Sequence, residues 1–167
     1  LKLWSQALSI WSRGKHKQRS WKLLRSFFNQ LSNDEIKRLL PSLSDWLGPM
    51  GQCAEKSDSK LINLYTRIIN LDLSDLPEDL HGQDKAQAAY IHPIGQVTLG
   101  LINWWARGRL NDNEKLTPAI RSLFTQICES KKECFRHGRL LLAKELDTLF
   151  RVDPEWAQEN ILPLFEW

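Results

Sequence analysis

A chain of 167 residues with 42% hydrophobic and 26% charged residues and a net charge of +3 has the composition of a globular domain, with enough length for one substantial core. Its longest apolar runs are far too short to span a bilayer, and its N-terminus lacks the continuous apolar segment of a secretory signal. Three cysteines, Cys53, Cys128 and Cys134, fit no disulfide framework, which points to a reducing, cytoplasmic setting.

In chain order, Leu3, Trp4, Leu8 and Trp11 form a first helical stripe, and Trp21, Leu24, Phe27, Phe28 and Leu31 a second. Between and around them lies the strongest charge asymmetry of the chain. Residues 1–33 hold seven lysines and arginines and no carboxylate, so the rest of the chain is net acidic. The cluster Arg13, Lys15, Lys17, Arg19 and Lys22 reads first as a solvated connection between two helices, and in the alternative as a patch for phosphates or an acidic partner.

Ser32 or Asn33 opens a third helix with Asp34 and Glu35 in its first turn; Ile36, Leu39, Leu40, Leu43, Trp46 and Leu47 carry it to Gly48-Pro49, with Pro41 expected to kink or divide it. After a polar loop over 51–57, Leu61, Ile62, Leu64, Tyr65, Ile68 and Ile69 mark a fourth helix. Residues 72–93 read as a long connection with a short helix near Lys85 to Tyr90, closed by His92-Pro93. A fifth helix spans about Ile94 to Arg107 and stops at Gly108; Thr117-Pro118 starts a sixth with Ile120, Leu123, Phe124 and Ile127 inward. The seventh covers Leu140 to Phe150, with Leu142 and Leu146 on its inner face, and the eighth begins at Asp153-Pro154.

No sustained period-2 alternation and no hairpin turn signal competes with these helices, and no strict repeat is visible. The expected fold is all-α: a single domain over 1–167, an irregular antiparallel bundle or HEAT-like stack of seven to eight helices. The apolar residues at both ends, Leu3 and Trp4 at one and Leu162 to Trp167 at the other, suggest a domain cut from a longer polypeptide.

Chemistry-bearing patterns are sparse. Cys128, Cys134 and His137 do not have zinc-site spacing and lack a fourth ligand, so no metal or other cofactor is expected. His92 with Asp84, or His81 with Glu78 and Asp79, can be drawn as acid–base pairs, but such neighbours arise by composition alone. No nucleophile elbow, phosphate loop, HExxH or dinucleotide fingerprint occurs, and Gly95, Gly100 and Gly108 are better explained by helix packing and termination. Most of the eight tryptophans fall on inner stripes. Trp104-Trp105 differs, because neighbours on a helix point about 100° apart and both are buried only if the helix is contacted on two sides. Otherwise one indole faces a partner, which makes Trp104, Trp105 and the terminal Trp167 a candidate partner surface, with Trp105 or Trp167 expected to be exposed.

The segments HPIGQVTLGLINWW (92–105), GRLLLAKELDTLFRVDPEW (138–156) and ILPLFEW (161–167) resemble a bacterial domain family of uncharacterised function found near the C-terminus of long anti-phage defence proteins that carry a separate sirtuin-type, NAD-handling domain. The likeness covers the second half of the chain; the first half matches only in helical character. It implies a non-catalytic sensor or assembly module that binds a phage component or other domains of its own chain, with nucleic-acid binding through the basic segment as the alternative.

Overall fold

The computed structural model describes residues 2–13, 17–55, 57–74, 76, 85–129 and 132–165. Among them are ten α-helices and no strand: α1 (Lys2–Arg13), α2 (Lys17–Gln30), α3 (Asn33–Met50), α4 (Ser59–Ile69), α5 (Lys85–Ile91), α6 (Pro93–Ala106), α7 (Pro118–Cys128), α8 (Arg136–Lys144), α9 (Leu146–Val152) and α10 (Pro154–Asn160). Short 3₁₀ turns cover Glu133–Phe135 and Leu162–Phe165. The fold is all-α. The seven or eight expected helices become ten because the short helix after residue 84 forms and because the Leu140 to Phe150 segment divides at Glu145.

Local chemistry sets the helix starts. Ser32 caps α3 through a reciprocal box: its hydroxyl accepts from the Glu35 N–H, and the Glu35 carboxylate accepts from the Ser32 N–H at 2.8 Å. Those bonds hold the Glu35 carboxyl below its usual range. Proline stands in the first turn of α6, α7 and α10, where its missing N–H has no partner to lose. Pro41 does not divide α3. It lies on the solvent face of a continuous helix, where water replaces the lost backbone bond, while Ile36, Leu39, Leu40, Leu43 and Trp46 are all buried on the opposite face.

α3 and α6 form the axis of the molecule, and they meet backbone to backbone. A Cβ placed on Gly51 would lie 1.9 Å from the Gly100 carbonyl oxygen, and one on Gly100 would lie 2.6 Å from both the Leu47 carbonyl and the Tyr65 hydroxyl. The Tyr65 hydroxyl donates to that same Leu47 carbonyl, tying α4 to the crossing, and burial raises its pKa. α1 packs on α3 away from this crossing, whereas α5 and α8 pack on α6. Gly138 brings α8 close: a Cβ there would stand 2.6 Å from the Thr98 hydroxyl and 2.8 Å from Ile127.

Two polar fastenings close the ends. At the corner between α2 and α3, the Arg67 guanidinium of α4 donates to the carbonyls of Phe28 and Leu31 and to the Asn33 side chain, filling acceptors that α2 leaves open at its C-terminus. At the other end Asp153, fully buried, caps α10 by accepting from the Trp156 N–H, accepts from the Leu116 N–H, and pairs with Arg121 at 3.3 Å. The loop before α7 is thus bound to the start of α10. Asn113 and Lys115, both at positive φ, add N–H bonds to the Arg151 and Val152 carbonyls.

Two expectations for side chains change. Leu3, read as inward, is 81% exposed, because the buried stripe of α1 is Trp4, Leu8 and Trp11, and Leu3 lies to one side of it. Leu142 is buried, but Leu146 is only half-buried, since the break at Glu145 rotates α9 relative to α8. Leu142→Ala should therefore lose about 2 to 5 kcal/mol by cavity formation, and Leu146→Ala clearly less, in denaturant titrations of the two variants. Gly51→Ala should be costlier than its one added methyl suggests. Forcing α3 from α6 should lower stability by at least about 1 to 3 kcal/mol, and a midpoint equal to wild type would refute the backbone contact.

Candidate functional site

The tryptophan pair is resolved by its surroundings. Trp105 is 6% exposed and meets Phe124 of α7 edge to face at 5.5 Å; Phe124 in turn packs on Trp156 at 5.9 Å. It is a core residue and not a partner surface, because α6 is contacted on several sides at once. Trp104 is half-buried, and its indole N–H donates to the Glu55 carbonyl at 3.0 Å. The Arg107 guanidinium donates to the neighbouring Ala54 carbonyl, so the end of α6 holds down the loop between α3 and α4. Trp167 lies outside the described residues.

Of the basic cluster, Lys15 and the side chains of Arg13 and Lys17 also lie outside the described residues. Arg19 and Lys22 are exposed on α2, and Lys22 lines a small cleft with Arg25, Glu55 and Asp58. Arg25, by contrast, pairs with Asp58 at 3.5 Å. The same Asp58 caps α4 and accepts from the Trp21 indole at 2.5 Å, so this carboxylate is taken up by the fold.

The N-terminal pair of helices carries a feature that periodicity alone did not single out. α1 turns Trp4, Leu8 and Trp11 toward the body, Trp4 stacking on Phe27 of α2 at 4.4 Å. Alongside that stripe Leu3 and Ile10, seven residues apart on one side of α1, stay outside: Ile10 is 69% exposed, while Ala7 between them is half-buried. On α2, Leu23 is also 69% exposed. Trp11, Arg19, Ser20 and Leu23 line a shallow hollow of about 280 Å³ between the two helices. Its floor is fixed, because the buried Ser20 hydroxyl accepts from the Trp46 indole at 3.1 Å. The signal was available in the sequence: Leu23 does not fit the stripe of Trp21, Leu24, Phe28 and Leu31, and a large apolar residue off the inner face is either exposed or covered by something else.

A second concavity, of about 390 Å³, lies between the chain that leaves α4, the start of α6 and the start of α8. His92 and His137 are both buried in its wall with their rings stacked at 4.2 Å. His92 caps α6, its Nδ1 accepting from the Ile94 N–H at 3.2 Å. Asp72 accepts from the hydroxyl and N–H of Ser74, and these bonds lower its pKa. Glu133 faces Arg139 at 3.9 Å, and burial raises the pKa of the Cys134 thiol. Of these groups Asp72 is engaged in a turn, His92 in a cap and Glu133 in an ion pair. Asp84, Glu78, Asp79 and His81 of the candidate acid–base pairs lie outside the described residues. Among the described residues no group of three or more His, Cys, Asp and Glu side chains is arranged to hold a metal ion.

Neither family models, nor characterised proteins, nor solved structures contain a match to this chain.

Cys128 offers a direct check of the packing beneath α8. Burial lifts its thiol from about 9 to about 12, and the thiolate is the species that alkylates. Native protein treated with iodoacetamide at mildly alkaline pH should therefore leave Cys128 unlabelled, and denaturant should expose it, as read by peptide mass spectrometry. The folded thiol titrates above the unfolded one, so its contribution to stability is complete below the unfolded value and is lost as pH rises toward about 12.

Proposed function

We propose that this domain is a non-catalytic helical recognition or assembly module that binds a protein partner through the uncovered face of α1 and α2. The observation that carries the reading is the exposure of three large aliphatic side chains on this helix pair, Leu3 and Ile10 of α1 and Leu23 of α2, the last of which lines a hollow whose floor is fixed. Scattered single leucines on a surface need no explanation, but three large ones on one helix pair are a feature of sites that another surface covers. The engagement of His92, Asp72 and Glu133 in a cap, a turn and an ion pair around the cavity between α4, α6 and α8 supports a binding role over a chemical one.

The setting we propose is a cytoplasmic bacterial anti-phage defence protein in which a separate sirtuin-type domain acts on NAD and this domain recognises a phage component or another domain of the same chain. That assignment rests on the sequence resemblance of residues 92–105, 138–156 and 161–167 alone. No helix among the described residues is long and apolar enough to cross a membrane, which fits the absence of a membrane role in this reading. The second reading, nucleic-acid binding by Arg13, Lys15, Lys17, Arg19 and Lys22, draws support from the exposure of Arg19 and Lys22.

The two readings separate by experiment. Ile10→Glu and Leu23→Glu replace exposed side chains and should leave the unfolding free energy within about 0.5 kcal/mol of wild type. Each should nevertheless abolish capture of the partner from infected bacterial lysate. Capture unchanged in both variants would remove this face from the interaction. Short DNA or RNA bound by wild type and released steeply by salt would favour the second reading.

A further inference from the structure

We infer that the cavity between α4, α6 and α8 binds a small zwitterion, an α-amino acid with an aliphatic side chain, at a place distinct from the α1–α2 face. Its volume of about 390 Å³ stands at the lower end of the ~300 to 1,000 Å³ that small-molecule sites enclose. Part of the wall is apolar: Ile69, Leu73 and Phe135 are buried there, and Leu71 and Leu76 are half-buried. An aliphatic side chain laid on that wall leaves water, which supplies the unspecific share of the affinity.

The charges supply the selection. Lys132 and Arg136 line the cavity together with Asp72 and Glu133, so the lysine, arginine and carboxylate charges cancel, and neither a simple anion nor a simple cation is favoured. Two of the four are already used. Glu133 faces Arg139 at 3.9 Å, while Lys132 pairs with Glu129 at 3.3 Å and stands over the Phe135 ring. One charge of each sign is left. Among the described residues neither Arg136 nor Asp72 has an oppositely charged group within 4.0 Å, so they do not pair with each other either. Arg136 is half-buried, where a guanidinium without a carboxylate is poorly compensated for the water it has lost. Asp72 takes both Ser74 bonds on Oδ1, from the N–H at 3.1 Å and from the hydroxyl at 2.8 Å, which leaves Oδ2 for another donor. Those bonds hold its carboxyl below the usual range, in the ionised form.

An α-amino acid carries the two groups that these side chains lack: a carboxylate for the planar fork of Arg136 and an ammonium for Oδ2 of Asp72. Its side chain, on the carbon that bears both, reaches the apolar wall. A fatty acid would bring its one charge against Asp72 as well as Arg136, and an alkylamine would do the reverse. The wall is set before a ligand arrives. The cap that His92 gives α6 and its stacking on His137 at 4.2 Å hold the imidazoles, and Asp72 is held by its turn.

Proton NMR titration of the 167-residue chain tests this through the ring resonances of His92 and His137. The probes are L-leucine, isocaproate, which is leucine without the ammonium, and isoamylamine, which is leucine without the carboxylate. Leucine should shift the rings saturably and bind at least about ten-fold more tightly than either analogue, the worth of one charge-assisted bond. Arg136→Gln should lower leucine to the level of isoamylamine, and Asp72→Asn to that of isocaproate, with circular-dichroism melts unchanged in both. Isocaproate equal to leucine would make the ligand a simple acid and overturn the inference, as would isoamylamine equal to leucine. Leucine binding indifferent to both substitutions, or no saturable shift below about 10 mM, would overturn it equally. Both substitutions leave α1 and α2 intact, so capture of a protein partner by that face stands or falls separately.

Discussion

The contact between Gly51, at the C-cap of α3, and Gly100 of α6 sets the geometry on which the other helices depend. Two helices whose axes are held apart by side chains can slide or rotate by small repacking of those chains. When a carbonyl oxygen occupies the space of a missing Cβ, the register is set by covalent geometry instead. The Tyr65 hydroxyl reads out that register by bonding to Leu47 within the same crossing, so α4 docks against a surface that has already been fixed. Gly138 repeats the device between α8 and the pair α6 and α7. The molecule therefore has a rigid spine, and its outlying helices α1 and α2 are free to differ in what they present to solvent.

Polar groups in the interior serve as clasps between distant parts of the chain. Asp153 is the clearest: one carboxylate terminates the loop ahead of α7, starts α10 and pairs with Arg121. Removing it would leave two buried N–H groups without acceptors, which costs more than the loss of a single surface bond. Asp58 does similar work at the opposite end, between α4, Trp21 and Arg25. Asp153 is visible in the sequence only as a helix cap, and Asp58 is not singled out there at all. Their second partners, 37 residues away in each case, come from tertiary packing that spacing does not reveal.

Helix starts were the most legible part of the chain, because a cap is a local event: Ser32 with Glu35, proline after Thr117, and proline after Asp153 each specify a boundary within four residues. Helix interiors were legible where one stripe is apolar and its neighbours are not, as in α3, α4 and α7. α1 defeats that test. It carries two adjoining apolar stripes, and periodicity cannot say which of them faces the body, so Leu3 was placed inside and the exposed pair went unnoticed. Trp105 shows the converse. Its burial depends on α6 being surrounded, which is a property of the whole fold and not of residues 104 and 105. The basic segment is legible as charge but not as surface, since only the fold places Arg19 beside Leu23 and Lys22 beside Glu55 and Asp58.

Arg67 has a bearing on how the chain is made. The carbonyls that end α2 are satisfied by a guanidinium 36 residues after the last of them, at Leu31. While the polypeptide emerges from the ribosome, the corner between α2 and α3 is therefore incomplete until α4 has also emerged and docked, even though α3 already covers the inner faces of α1 and α2. The order of synthesis thus leaves the open carbonyls at the end of α2 to water until a residue of α4 arrives to replace it.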